Sequence, residues 1–358
     1  MNTYHFYKTD CFKASRLVMQ AQSDASPIFV HRVSQHIGTQ HPHGPIPSLK
    51  LSYWSLLTII HSNRTAGATC IFHAQSSLPY LIIGVVLRSF LRANQITMVY
   101  DMHDLHEVKW LGSIWHKFRY SLVRGWLLGS MERIIFHLNS VKKMTVSNGL
   151  ARIVAEEYAT EKPNIVRNIS YFDEMLDVST KNFGNRLVYF GQKKHAPMPA
   201  FLDSAIKNGF AMDLHGRDIP ELSMGQRVFS DAGGSVIHYH GAYSPDDLDF
   251  LREYDVLVLW RPDNTSLNYR FSLPNKIFQA MWFGMSVIVS ENFEEISELF
   301  KDVSGAVYIL RDPLELPVAL SELKQLRGSG YIKRIQSFLK CLHKENESIY
   351  LGLTTIKD

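Results

Sequence analysis

The sequence has few cysteines and no long hydrophobic run, and each shortage excludes a class of protein. Its three cysteines, Cys11, Cys70 and Cys341, are isolated among 358 residues and have no CxxC spacing. That pattern argues against a disulfide framework and against a cysteine zinc site. The longest apolar run, residues 78–87, is shorter than the roughly 20 residues that a membrane-spanning helix needs.

The first ten residues also lack the basic and then apolar pattern of a secretory signal, so we expect a cytoplasmic protein. Hydrophobic residues make up 46% of the chain and charged residues 20%, which is typical of a soluble globular protein. At 358 residues the chain is long enough for two domains of ordinary size, each with its own core.

Charge is unevenly distributed along the chain. Residues 1–152 contain 16 Lys and Arg against 6 Asp and Glu, a net charge of +10, whereas residues 153–358 contain 22 against 28, a net charge of −6. A basic N-terminal half favours an anionic partner, either a phospholipid surface or a phosphorylated acceptor. No basic-aromatic platform or helix-turn-helix spacing stands out in the sequence, so nucleic acid is not an expected partner.

Residues 109–135 interleave tryptophan with basic side chains along one amphipathic stretch. This composition suits an interfacial helix on an anionic membrane surface, and it predicts peripheral attachment at the inner face of the membrane. The alternative is a helix that packs on the sheet and leaves its basic face in solvent.

The most informative segment, residues 272–290, reads as a turn, a short helix and a buried strand. Ser272 suits the N-cap, Pro274 suits the first helical turn, and Gly284 ends the helix. The strand before this segment leads into a polar loop, residues 261–271, at its carboxyl end.

A ligand site is predicted at the start of this helix. In doubly wound sheets, ligands bind outside the carboxyl ends of the strands, where the following helix presents free N–H groups and the positive end of its dipole. We therefore predict that the amides of residues 273–277 bind an anion, and that this anion is a phosphate. Lys276 lies nearby in the sequence.

A second cluster of chemistry-bearing residues lies at the end of the predicted strand 96–101. Its ionisable side chains are those of Asp101, His103, Asp104, His106 and Glu107. A histidine beside a carboxylate can be held in one tautomer and can exchange protons near neutral pH. Two alternatives stay open: Asp101 and His103 cap a helix, or Asp101 and Asp104 bind a metal.

Further strands and helices complete an α/β pattern. Residues 235–241 are predicted to form a strand along which His238 and His240 alternate, and we assign both histidines to the sheet rather than to the site. Residues 245–253 are predicted to form a helix, and residues 331–350 a long helix of basic and apolar residues.

Two segments of the sequence resemble a known family. Residues 272–281, followed by Gly284 and residues 287–290, are similar to the nucleotide-sugar segment of retaining glycosyltransferases of family 4, which have the GT-B fold. Residues 99–105 resemble the family segment in which a strand ends in a histidine that faces the donor sugar, and His103 takes that position.

The resemblance implies a set of site residues. In the family, the loop after the first strand of the second domain supplies basic side chains to the donor diphosphate, and Lys193 and Lys194 match it here. Catalytic roles fall to His103 and Lys194. The acceptor side falls to Asp101, Asp104 and His106. The expected nucleotide-sugar residues are Lys193, Ser272, Leu273, Pro274, Asn275, Lys276 and Gln279.

The resemblance also implies the architecture and the reaction. Two Rossmann-like, doubly wound domains would face each other across a cleft, with residues 1–170 binding the acceptor and residues 171–330 the nucleotide sugar. Residues 331–358 would pack back toward the first domain. A sugar would pass, with retention, from a nucleoside diphosphate sugar to a lipid-linked or glycan acceptor in surface polysaccharide or glycolipid synthesis. No metal and no cofactor besides this co-substrate is expected.

Two departures from the family pattern keep other functions open. Phe271 and Gln279 stand where the family usually carries two glutamates, and no glycine-rich loop follows the first strand. Gln279 can still bond to a ribose hydroxyl, but it carries no charge. These departures favour a catalytically silent GT-B subunit that supports another transferase. A nucleotide-sugar epimerase is the third function, and its acid and base would have to come from residues 101–107.

Overall fold

The structure is a computed structural model that describes most of the chain. The described residues are 2–7, 28–32, 48–50, 53–73, 77–104, 126–169, 183–191, 197, 199–216, 227–229, 236–243, 248–263, 266–328 and 330–354. The chain divides into two compact units: unit 1 comprises Met1–Asn168 and Lys344–Asp358, and unit 2 comprises Ile169–His343. None of the helices among the described residues combines the length and the apolar character needed to cross a membrane.

Unit 1 is built on a parallel sheet with the strand order β3-β2-β1-β4-β5-β6-β7. These strands are β1 (Asn2–Tyr7), β2 (Ile28–Arg32), β3 (Ser48–Lys50), β4 (Ala68–His73), β5 (Ile96–Met102), β6 (Val141–Thr145) and β7 (Asn164–Ile165). The strand order reverses direction between β1 and β4, as in a doubly wound Rossmann-like sheet.

Four described helices connect the strands of unit 1: α1 (Tyr53–Ser62), α2 (Leu78–Phe90), α3 (Trp126–His137) and α4 (Asn148–Tyr158). The bounds of α4 follow from its two ends. Ser147 caps its start, because the side-chain oxygen accepts a hydrogen bond from the Leu150 N–H at 3.2 Å. Ala159 ends the helix in the left-handed conformation, with φ 51°.

Helix α3 contains the described part of the stretch for which membrane binding is predicted. Its Glu132 is almost fully buried and accepts hydrogen bonds from the phenols of Tyr100 at 2.5 Å and Tyr158 at 3.1 Å. The Phe136 ring packs against both tyrosine rings. One side of α3 therefore packs against the sheet. Residues 109–125 lie outside the described residues.

Unit 2 repeats this plan with the strand order β10-β11-β9-β8-β12-β13-β14. Its strands are β8 (Leu187–Phe190), β9 (Met212–His215), β10 (Arg227–Phe229), β11 (Val236–Gly241), β12 (Val256–Leu259), β13 (Ser286–Val289) and β14 (Val307–Ile309). Only β10 pairs antiparallel among these described strands. The remaining order is that of the first six strands of unit 1, and it reverses direction between β8 and β12.

The described helices of unit 2 are α5 (Pro199–Lys207), α6 (Leu267–Arg270), α7 (Asn275–Trp282), α8 (Glu294–Leu299), α9 (Leu316–Arg327) and the start of α10 (Tyr331–Thr354). Two predictions differ from the structure here. The helix predicted over residues 245–253 is present as a 3₁₀ helix, Asp249–Glu253, with bonds between residues three apart, and residues 245–247 lie outside the described residues. The predicted loop 261–271 contains α6, because Ser266 caps it by accepting the Tyr269 N–H at 3.0 Å.

The last part of α10 belongs to unit 1. Asn346 is fully buried there and holds the backbone of Arg167 from both sides, accepting its N–H at 3.1 Å and donating to its C=O at 2.9 Å. Tyr350 and Leu353 complete an apolar cluster with side chains from three strands and from the segment after β7. The other members of that cluster are Ile71, Val99, Met144 and Val166.

Candidate functional site

The predicted anion site corresponds to the first turn of α7, but its capping differs from the expectation. The helix begins at Asn275, and the N-cap is Pro274 in an extended conformation, φ −61° and ψ 135°. Ser272 is not the cap, because its hydroxyl instead donates to the Tyr269 carbonyl at 3.2 Å. Pro274 makes no side-chain capping bond, so this helix start lacks the side-chain cap that was expected from Ser272.

The row of amides expected to bind a phosphate is shorter than predicted. The Ile277 N–H donates to the Pro274 carbonyl at 3.0 Å and is therefore used within the chain. The other end of α7 follows the prediction: Gly284 adopts φ 73° and donates to the Met281 carbonyl at 2.9 Å. The direction of α7, with its positive end at Asn275, is thus fixed by both termini.

Lys276 is the main cationic group of this turn, and it is 9% exposed. Its Nζ donates to the Tyr189 hydroxyl at 3.2 Å and lies 4.5 Å from the centre of the Tyr189 ring. Burial raises the pKa of Tyr189, so the phenol keeps its proton and offers its oxygen to the ammonium group.

Gly191 makes room for the Lys276 ammonium at the end of β8. Its φ is 133°, which side-chain-bearing residues rarely adopt, and a Cβ there would lie 2.4 Å from Lys276 Nζ. Since the strand order of unit 2 reverses between β8 and β12, the lysine sits at the position where ligands bind in this type of sheet.

The end of β12 is held rigidly beside this position. The Arg261 N–H donates to the Ser290 hydroxyl at 3.0 Å, and the Ser290 hydroxyl donates to Asn292 Oδ1 at 2.6 Å. The Asn292 side chain closes the ring by donating to the Arg261 carbonyl at 2.9 Å. The Arg261 guanidinium forms a two-point ion pair with Asp263, with both distances at 3.1 Å.

Two residues stand where the family that the sequence resembles usually carries glutamates. Phe271 is buried at the end of α6, and its apolar ring cannot take over the role of a carboxylate. Gln279 lies on α7, one turn beyond Lys276, and its side chain is half-buried. Its amide is therefore positioned on the same helix face as the buried lysine.

In unit 1, the second predicted cluster forms a network around Asp101. This aspartate on β5 is fully buried and lies directly opposite His73 on β4. Its Oδ2 is 2.6 Å from His73 Nδ1 and 3.0 Å from His103 Nε2. Asn168 approaches the other ring nitrogen of His103 with its Nδ2 at 3.5 Å.

The network selects one tautomer of His103. An ionised Asp101 only accepts hydrogen bonds, so both histidines donate to it, His73 from Nδ1 and His103 from Nε2. In a neutral His103 the lone pair then lies on Nδ1, toward the Asn168 amide. At 3.5 Å this second contact is at the weak limit of a hydrogen bond. The nitrogen suited to an incoming hydroxyl is therefore Nδ1.

The candidate metal ligands of this cluster differ from the pair that the sequence suggested, Asp101 and Asp104. The three residues with candidate ligand atoms within 4.8 Å of one another are His73, Asp101 and His103, and Asp104 is not among them. The distance of 2.6 Å between His73 and Asp101 is that of a hydrogen bond, because two ligands of one ion are about 3 Å apart or more. The geometry therefore describes a hydrogen-bonded network.

Other predicted site residues have different outcomes. Asp104 is exposed at the end of the cluster. Lys193, Lys194 and His106 lie outside the described residues. Leu273, which precedes the capping proline, has a buried side chain, so the ligand-binding role predicted for it would fall to its backbone.

The sequence reasoning missed three residues of these clusters: His73, Tyr189 and Gly191. Each lies at or beside the carboxyl end of a short, mostly apolar run, residues 68–73 for His73 and residues 187–190 for Tyr189 and Gly191, and these runs are the available signal. Because the carboxyl ends of parallel strands meet at one edge, reading the first run as a strand would have placed His73 beside Asp101.

Comparison with known proteins gives structural matches only. No family model and no curated protein sequence matches the chain. WaaG, a glycosyltransferase involved in lipopolysaccharide biosynthesis, matches with a TM-score of 0.58 at 11% identity, covering 99% of this chain and 100% of WaaG. An α,α-trehalose-phosphate synthase (UDP-forming) from Burkholderia vietnamiensis gives 0.59 at 10% identity, covering 98% of each chain.

A third match is HepE from Anabaena, solved in complex with UDP-glucose. Its TM-score is 0.58 at 10% identity, and the match covers 97% of this chain and 98% of HepE. Together with the two doubly wound sheets, these matches confirm the predicted fold class: the chain has the GT-B fold, with two Rossmann-like units.

Proposed function

We propose that this chain is a glycosyltransferase that takes its sugar from a nucleoside diphosphate sugar. The observation that carries the proposal is Lys276, a buried lysine at the first turn of α7 and at the point where the strand order of unit 2 reverses. HepE was solved with UDP-glucose, and the B. vietnamiensis synthase is described as UDP-forming. A nucleoside diphosphate is the anion that best fits this turn.

The donor diphosphate would be held by charge and by fixed dipoles. The positive end of α7 and the Lys276 ammonium face the same anion, and Gly191 allows close approach of the β8 backbone. Negative charge builds on the diphosphate as the sugar departs, and these preorganised groups stabilise it without rearranging. Gln279, one turn along α7, would bond to the ribose.

The remaining predicted residues receive roles within the same proposal. Lys193 and Lys194 would add positive charge at the diphosphate, with Lys194 catalytic. His103 would bond to the transferred sugar through Nδ1, because Asp101 holds its other nitrogen at 3.0 Å. Asp101, Asp104 and His106 would shape the acceptor side. Transfer with retention and without a metal at this site is part of the proposal.

We also propose a lipid-linked or glycan acceptor in surface polysaccharide or glycolipid synthesis, and a cytoplasmic enzyme at the inner face of the membrane. The support is the net charge of +10 in residues 1–152. Flotation with anionic vesicles at moderate salt tests the attachment. Absence of the protein from the vesicle fraction would count against it.

One observation favours a second function, a catalytically silent subunit. Phe271 and Gln279 leave both glutamate positions of the family without a carboxylate. Such a subunit would bind a nucleotide sugar through Lys276 but would neither transfer nor hydrolyse its sugar.

A panel of donors separates these functions. The protein is incubated with UDP-, GDP-, ADP- and dTDP-sugars, and melting temperature, released nucleotide and sugar products are measured. A raised melting temperature with transfer or hydrolysis supports the transferase. Stabilisation without turnover identifies the silent subunit, and an isomerised sugar identifies an epimerase. If no donor shifts the melting temperature and none is consumed, the nucleotide-sugar proposal fails.

A further inference from the structure

A second group of metal-ligating side chains lies in unit 2, on β9 and β11. Asp213 Oδ1 is 3.3 Å from His238 Nδ1 and 3.3 Å from His240 Nε2. The three candidate ligand atoms all lie within 4.8 Å of one another. Both histidines are accessible, with 37% and 43% of their side chains exposed, so an ion can reach them from solvent.

The distances from Asp213 to the two histidines match the spacing of ligands that bind one metal ion. A charge-assisted hydrogen bond spans about 2.7–2.9 Å, and both contacts of Asp213 are longer than that. Two ligands bound at about 2.0–2.1 Å in a tetrahedral arrangement lie about 3.4 Å apart. The 3.3 Å separations therefore leave space for an ion between the carboxylate and each imidazole.

The backbone of β11 is irregular beside this group. His238 pairs directly with Asp213 across the two parallel strands, and Tyr239 pairs with Leu214. The register then shifts, so that Gly241 rather than His240 pairs with the next residue of β9. This irregularity, followed by Gly241 at φ 77°, lies at His240, and bulges of this kind are common next to sites.

Neighbouring side chains hold two of the ligands in place. The Tyr254 hydroxyl donates to Asp213 Oδ2 at 2.5 Å, which leaves Oδ1 for an ion. The His215 ring stacks on the His240 ring, with centroids 4.4 Å apart and an interplanar angle of 4°. Partners of this kind orient metal ligands and tune their affinity.

This group is separate from the proposed donor site. Asp213 pairs with Val188 on β8, whereas Lys276 contacts Tyr189, the next residue of β8. Because successive side chains of a strand point to opposite faces, Asp213 and Lys276 lie on opposite faces of the sheet. A cation bound at Asp213 would therefore not touch the diphosphate held by Lys276.

We propose that Asp213, His238 and His240 form a binding site for a divalent transition-metal ion, with Zn²⁺ as the preferred occupant. Two imidazoles and one carboxylate suit zinc and its neighbours in the first transition row, and they do not suit Mg²⁺ or Ca²⁺, which prefer oxygen ligands. Three protein ligands leave a fourth position for water or for a further ligand. The ion would also clamp β9 to β11 near the edge of the sheet.

Metal titration of the whole chain tests the site. The protein is stripped with a chelator, and Co²⁺ binding is followed by its visible absorption, with Zn²⁺ as the competitor. We expect one equivalent of four-coordinate Co²⁺ without the bands of a sulfur ligand, displaced by Zn²⁺. His238→Ala and His240→Ala should each lose this equivalent, and Tyr254→Phe should weaken it by roughly tenfold to a hundredfold.

Two controls make the result specific. His61→Ala removes an exposed histidine of α1 and should leave the equivalent unchanged, and His103→Ala tests the other histidine cluster. Zn²⁺ should also slow carbethoxylation of His238 and His240, but not of His61, in the unaltered protein, which requires no variant to fold. The proposal is overturned if the unaltered chain binds no Co²⁺, if both β11 variants keep it, or if only His103→Ala loses it.

Discussion

The Lys276 ammonium lies 3.2 Å from the Tyr189 hydroxyl and above the ring of the same tyrosine, so a helix side chain covers the end of β8. If this cation stabilises the departing diphosphate, Lys276→Ala should lower turnover roughly a hundredfold, because a preorganised charge of this type contributes that much. Initial rates with the best donor of the panel measure the effect.

The matched control for this prediction is Lys207→Ala, which removes an exposed lysine at the end of α5 in the same unit. It should leave the rate unchanged. Equal rates for Lys276→Ala and Lys207→Ala, with both proteins folded by circular dichroism, would remove Lys276 from the donor site.

Gly191→Ala should destabilise unit 2 and displace the lysine. The new methyl group would lie 2.4 Å from Lys276 Nζ, and φ 133° is strained for alanine. We expect a loss of about 1–3 kcal/mol in the free energy of unfolding, measured with urea, together with weaker donor binding. Gly129→Ala is the contrasting variant, because its Cβ would meet nothing within 4 Å inside α3. It should stabilise the protein by roughly 0.5–1 kcal/mol.

Asp101→Asn keeps the shape of the buried side chain and removes its charge. Its two hydrogen bonds from His73 and His103 would lose their charge assistance, so we expect a loss of about 1–3 kcal/mol in the free energy of unfolding. The NMR chemical shifts of the His103 ring nitrogens should show a smaller population of the Nε2–H tautomer. Asp104→Asn, at the exposed neighbouring position, should change stability by less than about 0.5 kcal/mol. Equal effects of the two variants would contradict the network.

Cys70 should be inert to thiol reagents and should make the fold sensitive to alkali. Burial raises the pKa of its thiol from 9.0 to about 12. Between these values the unfolded chain has lost the thiol proton and the native chain still holds it, so stability falls as the pH rises. The full contribution is present below pH 9.

Urea unfolding at a series of pH values from 8 to 11 measures this contribution. Cys70→Ala should flatten the decline of stability above pH 9, whereas Cys341→Ala, at an exposed position, should leave it as it is. A thiol reagent at pH 8 should label Cys341 and spare Cys70 until the protein unfolds. Rapid labelling of Cys70 in the native protein would show that the thiol is not buried in solution.

Local signals in the sequence predicted much of the fold. The bounds of helix α4 depend on such signals, because Ser147 and Ala159 fix its two ends through neighbouring backbone groups. Strands such as β5 and β12 are apolar runs that are followed by polar or ionisable residues. The positions of Asp101 and of the α7 segment could therefore be predicted from the sequence. Short edge strands such as β3 and β10 were missed, because three residues carry too little pattern.

The contacts within the sites depended on distant residues and could not be read from spacing. His73 and Asp101 are 28 positions apart, and only the order of the strands brings them to 2.6 Å. Ser272 looked like a cap, but its hydroxyl found the Tyr269 carbonyl instead. His238 and His240 do lie on a strand as predicted, whereas the pairing of β11 with β9, which brings both histidines to Asp213, leaves no mark in the sequence.

Helix α10 imposes an order on the synthesis of the protein. Asn346, Tyr350 and Leu353 complete unit 1, yet the ribosome makes them only after all of unit 2. Until then Ile71, Val99 and Met144, which belong to the first 168 residues, lack their neighbours from α10. A chain released before residue 344 would therefore leave Ile71, Val99 and Met144 partly uncovered, and apolar surface of that kind is what chaperones and proteases recognise.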